Sequence, residues 1–271
     1  MNKQSVLEIF EQISDKVISF LQNHPGVTEV EFNERHGVLD SQLQTWEDEN
    51  SPYKLPEDMK SFLLISDGLL LQWKIKMNQM TKPLGQMHFN SLKDITTFKL
   101  GNYSLRRLGE DPVDTSLEDI KVFDIDKKVL NGRLGLVFRS NNAKPQIYFQ
   151  DLSGDWFFIA NSFTDYFRLM VMHLGLPNWQ YAFTDVGLDT TSQQWFRFLS
   201  PERLAIDIKS RKKQVKKAKR QKKETKKDKA LIQGIKRRKN ATGFYSQLPD
   251  EKTHKKKRTR KSKKVKTASK K

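Results

Sequence analysis

The charge of this chain is divided so unevenly that only its first three quarters can build a core. From Lys209 to Lys271 there are 29 Lys and Arg against four acids, Glu224, Asp228, Asp250 and Glu251, a net charge of +25. The whole chain holds 50 basic and 32 acidic residues, so residues 1–208 keep 21 and 28, a net charge of −7. A segment this basic and this poor in apolar side chains cannot bury enough surface to offset backbone ordering, roughly 1–2 kcal/mol per residue. The expectation is a globular domain over residues 1–200 and a disordered Lys/Arg-rich tail over residues 201–271. A chain of about 200 residues buries roughly 70% of its unfolded surface and needs no covalent staple. It has none, because cysteine is absent. That removes disulfides, thiolate metal sites and cysteine nucleophiles together. The N-terminus has no uninterrupted apolar core of the signal-peptide kind, and no run approaches the ~20 apolar residues of a membrane span. A soluble intracellular protein is expected.

Hydrophobic spacing gives the element order. A capping box at Ser5 and Glu8 opens a helix whose buried stripe is Val6, Ile9, Phe10, Ile13, Val17 and Phe20, and His24-Pro25-Gly26 ends it. Val27–Phe32 reads as a strand, Ser41–Asn50 as a helix carrying Trp46, and Pro56-Glu57-Asp58 as the start of another helix. Leu69, Leu71, Trp73 and Ile75 alternate with Leu70, Gln72, Lys74 and Lys76, the pattern of a strand with one apolar face. Further strands are expected at 85–89, 120–125, 134–138, 147–150 and 156–159, with turns at Asn131-Gly132 and Ser153-Gly154, and a loop over 99–118. A last helix from Thr190 carries Trp195, Phe196 and Leu199 and stops before Pro201. The fold class that results is α+β, an antiparallel sheet flanked by helices.

The most distinctive stretch is SFTDYFRLMVMHLGLPNWQYAF, residues 162–183. Ser162 with Asp165 caps a helix whose face is Phe163, Tyr166, Phe167, Met170 and Leu174. Gly175 supplies a left-handed cap and Pro177 stops the helix. Trp179, Tyr181 and Phe183 then alternate with Gln180 and Ala182, as a half-buried extended segment does. Trp179, Gln180, Tyr181 and Phe183 are therefore the candidate partner interface, and an internal core role fits them equally well.

These residues carry a resemblance. The stretch from Leu55 to Lys76, LPEDMKSFLLISDGLLLQWKIK, with Pro83-Leu84-Gly85 and the strand–turn–strand–helix from Ile147 to Leu174, resembles the SMI1/KNR4 superfamily. Within it, Pro25–Val30, Trp46-Glu47, His173–Pro177 and Trp179–Thr184 are most similar to the non-catalytic subunits of tubulin polyglutamylase complexes. The likeness spans Val6 to Leu199; the tail is more basic than the family pattern. It implies a scaffolding subunit with no cofactor, assembled with a tubulin-tyrosine-ligase-like catalytic subunit and other complex subunits, which adds glutamates to tubulin. It also implies residence in the cytoplasm and on the cytoskeleton, at microtubules, basal body or cilium.

The side chains carry no sign of catalysis. No phosphate-cradling glycine loop and no Gly-x-Ser-x-Gly elbow is present. His24, His36, His88, His173 and His254 lack metal-ligand spacing, and His173 reads as a packed ring or helix-dipole partner rather than a base. Asp124 and Asp126 read as an acidic turn before metal carboxylates. In the tail, Lys212, Lys213, Lys216, Lys217, Lys236, Arg237, Arg238, Lys255, Lys256, Lys257 and Arg258 form the candidate polyanion-binding surface. Its targets are acidic tubulin tails, import receptors or nucleic acid. Only Phe244 and Tyr245 are aromatic there, which disfavours base stacking. A basic-tailed nuclear or nucleic-acid-associated adaptor is the alternative reading.

Overall fold

Trp73 is completely buried and organises the first of two sheets in the computed structural model, which describes residues 3–33, 35–98, 105–108, 120–139 and 144–242. That sheet holds β1 (Val27–Asn33), β2 (Leu69–Met77) and β3 (Met80–Phe89) in the order β1-β2-β3, all antiparallel. The alternation expected of β2 is present, with Leu69, Leu71, Trp73 and Ile75 in the core. Trp73 lies opposite Gly85, where an added Cβ would stand 1.9 Å from the indole. Glycine on β3 is thus the complement of tryptophan on β2.

The second sheet has β4 (Thr96–Thr97), β5 (Leu105–Arg106), β6 (Ile120–Asp126), β7 (Arg133–Arg139), β8 (Gln146–Gln150) and β9 (Trp156–Ala160). Their order is β4-β6-β7-β8-β9-β5, antiparallel except for the short parallel pairing of β5 with β9. One side of β7 and β8 enters the main core; the other packs Val137 and Tyr148 with Leu105, Val122 and Trp156 in a smaller cluster. Both sides being covered explains why β7 is an unbroken apolar run rather than an alternating one.

Helices α1 (Lys3–Asn23), α2 (Asp40–Glu49), α3 (Glu57–Leu63) and α4 (Phe163–Met172) close the main core. Phe10, Phe62, Phe89, Phe163 and Phe167 meet there, with ring centroids 5.2 Å apart for Phe10–Phe62 and 4.7 Å for Phe89–Phe163. Asp58 does more than favour its own helix start. Its carboxylate accepts the Thr164 N–H at 2.8 Å and the Thr164 hydroxyl at 3.0 Å, so α3 helps to cap α4. Ser162 accepts the Asp165 N–H at 3.1 Å, as expected. On α1 Phe10, Val17 and Leu21 are buried while Phe20 is exposed, the side chains of Val6, Ile9 and Ile13 lie outside the described ones, and the helix begins at Lys3, ahead of the expected cap.

Helix α5 (Thr190–Leu199) is followed at once by α6 (Pro201–Thr242). The first compact unit runs to Gln221, past the boundary at residue 200 expected from the sequence. Leu204, Asp207 and Ala218 on α6 are buried within that unit. The second unit begins at Lys222; its helical backbone is described to Thr242, and residues 243–271 lie outside the described residues. Most of the expected loop over 99–118 also lies outside them. Among the described residues, no helix is long and apolar enough to cross a membrane.

Replacing Trp73 with alanine removes a fully buried ring and the hydrogen bond its Nε1–H donates to Leu174 O at 2.9 Å. We expect Trp73→Ala to cost about 3–5 kcal/mol in denaturant unfolding. An unchanged midpoint would contradict the placement of that ring.

Candidate partner-binding cleft

After α4 the chain must reverse within a few residues. Leu174 and Gly175 do so in left-handed conformations, with φ of +55° and +60°. Gly175 O then accepts the Gln86 N–H of β3 at 2.9 Å, and a Cβ on Gly175 would lie 2.4 Å from Gln86 O. The 175–180 segment so placed forms one wall of a cleft of about 700 Å³. The turn between β6 and β7, from Lys127 to Leu130, residues of β1, β2 and β3, Asp126 of β6, and Tyr166 and Met170 of α4 contribute the rest of its lining.

At the cleft lie three polar groups from three elements: His88 of β3, Asp126 of β6 and Tyr166 of α4. His88 Nδ1 stands 2.6 Å from Asp126 Oδ1, and that oxygen also accepts the Lys128 N–H at 2.9 Å. The Asp126 carboxyl is pushed up by burial, against a lowering contribution from His88. Burial also pushes the Tyr166 phenol well up, with Asp126 adding to the shift. Its hydroxyl has a thioether contact, Met170 Sδ at 3.9 Å. No group of three or more metal-ligating side chains occurs among the described residues. The cleft sets these polar groups beside the apolar side chains of Leu84, Val129, Pro177 and Trp179.

A second polar cluster holds α6 to the globule. His173 is fully buried, its Nδ1 2.6 Å from Leu169 O and its Nε2 2.9 Å from Asp207 Oδ2. Arg203 donates to the other Asp207 oxygen. Burial works against the Asp207 carboxylate, but the hydrogen bonds from His173 and Arg203 outweigh it and its pKa is lowered. Further along the helix, Arg211 donates to Thr184 O at 2.7 Å and to Asp185 O. Gly187 (φ +81°) leaves room for that guanidinium, since a Cβ there would meet Nη1 at 2.5 Å.

Comparison with known proteins gives this fold a family. The model of the SMI1 / KNR4 family (SUKH-1) matches residues 37–169, from just before α2 into α4. A Rattus norvegicus protein named tubulin polyglutamylase complex subunit 2 is 32% identical over 216 residues, covering 70% of this chain and 71% of that protein. The Homo sapiens protein of the same name is 32% identical over 213 residues, covering 70% of each. The chain belongs to the tubulin polyglutamylase complex subunit 2 family.

In this member of the polyglutamylase subunit 2 family, the expected interface residues are not an exposed strip. Trp179–Phe183 is a 3-10 turn entered through Asn178 at φ +60°, not an extended segment. Trp179 is buried and stacks on His173 with centroids 4.7 Å apart; Gln180 is buried as well. Tyr181 and Phe183 are half-buried, Tyr181 donating its hydroxyl to Asn131 O at 2.6 Å. Trp179 and Gln180 nevertheless line the cleft from within, while neither Tyr181 nor Phe183 is among its lining residues. His173 is the packed ring that was expected. In the tail, Lys212, Lys213, Lys216 and Lys217 sit exposed on α6. The side chains of Lys236, Arg237 and Arg238, and all of Lys255, Lys256, Lys257 and Arg258, lie outside the described ones. The His88–Asp126 pair is absent from the sequence-based site because 38 residues separate its members; only the β-sheet connections bring them together.

Asp207 gives a pH test. A lowered folded pKa means stability that is present above the unfolded carboxylate value, about 3.9, and lost as pH falls through the folded one. Asp207→Asn should therefore destabilise the chain by about 1.5–3 kcal/mol at pH 7 and progressively less in strong acid. Thermal midpoints of the two proteins from pH 7 to pH 3 check this; a constant gap would contradict the assignment.

Proposed function

We propose that this chain is a non-catalytic scaffolding subunit of a tubulin polyglutamylase complex, supporting a tubulin-tyrosine-ligase-like enzyme that adds glutamates to tubulin. The observation that carries this reading is the 32% identity spanning 70% of this chain and 71% of a protein named as subunit 2 of that complex. The lack of a phosphate-cradling glycine loop in the sequence supports an accessory role, since phosphoryl transfer depends on groups that hold nucleotide and metal. The globule supplies the contacts with the catalytic subunit and other complex subunits. The basic segment supplies attraction to the acidic tails of tubulin, and residence in the cytoplasm at microtubules, basal body or cilium is part of the same proposal. Basic clusters such as Lys236-Arg237-Arg238 also fit entry into the nucleus.

The test separates globule from tail. Residues 222–271 hold 21 Lys and Arg against four acids, and their removal leaves the first compact unit whole. A chain ending at Gln221 should still assemble with the enzyme subunit and should cosediment with microtubules roughly tenfold more weakly at low salt. Full-length binding should fall steeply as salt rises, because attachment of this kind releases counterions. Equal binding to native microtubules and to microtubules stripped of acidic tails would contradict recognition of those tails. It would favour nucleic acid as the partner of the basic segment.

A further inference from the structure

Helix α6 is docked by one side only, and its other side carries a row of cations. Asp207, Arg211 and Ala218 face the globule: Asp207 pairs with His173, Arg211 donates to Thr184 O, and Ala218 is buried. At about 100° of turn per residue, Lys209, Lys213, Lys216 and Arg220 fall within ~60° of one another on the opposite side, with Lys212 beside them. All of them are exposed, and among the described residues none takes part in an ion pair. Apart from Asp207, on the docked side, no acid occurs between Glu202 and Glu224. Charge of one sign, unopposed along a helix face, selects an anion.

The length of the row is fixed, because the helix beneath it is held near its start by Asp207 and Arg211 and near its end by Ala218. From Lys209 to Arg220 it measures about 17 Å, at ~1.5 Å per residue. An extended polypeptide covers that distance in about five residues, at ~3.3 Å each. Ala205 and Ile208 line a shallow groove with four of the lysines, so an apolar side chain or backbone has a surface to rest on. No aromatic residue stands between Phe198 and Phe244, which leaves no platform for stacked bases. These features favour an acidic polypeptide over nucleic acid.

We propose that this face of α6 binds a run of glutamates in extended form and responds to the length of the run only up to about five residues. Lys209, Lys212, Lys213, Lys216 and Arg220 are the carboxylate partners. Basic residues beyond Gln221 add attraction but do not belong to the row. That the glutamates are those carried by tubulin rests on the proposed function; the row, its charge and its length do not. On that reading, the face registers how many glutamates a tubulin tail already carries.

End-blocked, fluorescently labelled peptides of two, four, six, eight and ten glutamates test this by anisotropy at low salt. The chain ending at Gln221 keeps the first compact unit whole. Its affinity should rise about tenfold or more from two to six glutamates, and from six to ten only by the few extra registers available. Lys213→Gln combined with Lys216→Gln, both on the undocked side, should weaken the six-glutamate peptide about fivefold. Lys82→Gln, at an exposed lysine of β3, should leave it unchanged. In the full-length chain, amide resonances of residues 209–220 should move when that peptide is added. A rise as steep from six to ten as from two to six overturns the proposal, as does unchanged binding in the double variant or an equal loss in Lys82→Gln. So does movement confined to residues beyond Gln221, the absence of binding at millimolar peptide, or equally tight binding of an oligothymidylate of the same charge. No tubulin or enzyme is present in these titrations. Intact length dependence without cosedimentation on microtubules would therefore contradict the proposed function alone.

Discussion

Three consecutive residues at the end of α4 tie together parts of the chain that local structure would leave separate. His173 reaches Asp207 on α6, Leu174 accepts the indole N–H of Trp73 on β2, and Gly175 accepts the backbone N–H of Gln86 on β3. Each link satisfies a polar group that would otherwise be buried unpaired, at a cost of about 1–3 kcal/mol apiece. All three rely on the left-handed turn at Leu174 and Gly175, and the second of these sites has no room for a Cβ. The cleft wall and the docking of α6 are two consequences of that one reversal.

Much of this was visible in the residues. The alternation of β2, the cap at Ser162, the left-handed Gly175 and the turn at Asn131 are local effects, and local patterns report them faithfully. Where the reading failed, the cause was not local. Trp179–Phe183 has the two-residue alternation of a strand, but Asn178 at positive φ winds it into a 3-10 turn packed on His173. The first half of β3, Met80 to Leu84, is mostly exposed and carries Pro83, so only its pairing with β2 identifies it before Gly85. The start of α6 was concealed by its charge. Leu204, Asp207, Arg211, Val215 and Ala218 recur at three- and four-residue spacing, the signature of a packed helical face. Counting lysines hid it.

The docked start of α6 changes how the charge partition is understood. The globule does not end where basic residues begin; it carries Lys212, Lys213, Lys216 and Lys217 on its own surface, on a helix anchored by Asp207 and Arg211. A basic surface fixed to a folded body presents its charges in a set direction and loses less entropy on meeting an acidic partner than a free chain would. The cleft is a separate device on the same globule, built from β3, β6 and α4 around a buried His88–Asp126 pair.

Amide hydrogen exchange of the full-length chain tests the central claim, that the reversal at His173–Gly175 binds α6 into the globule. Amides of residues 204–218 should be protected to the degree of β7 and β8, and should lose that protection in His173→Gln while the strands keep theirs. Exchange of 204–218 in the native chain at the rate of an undocked helix would contradict it.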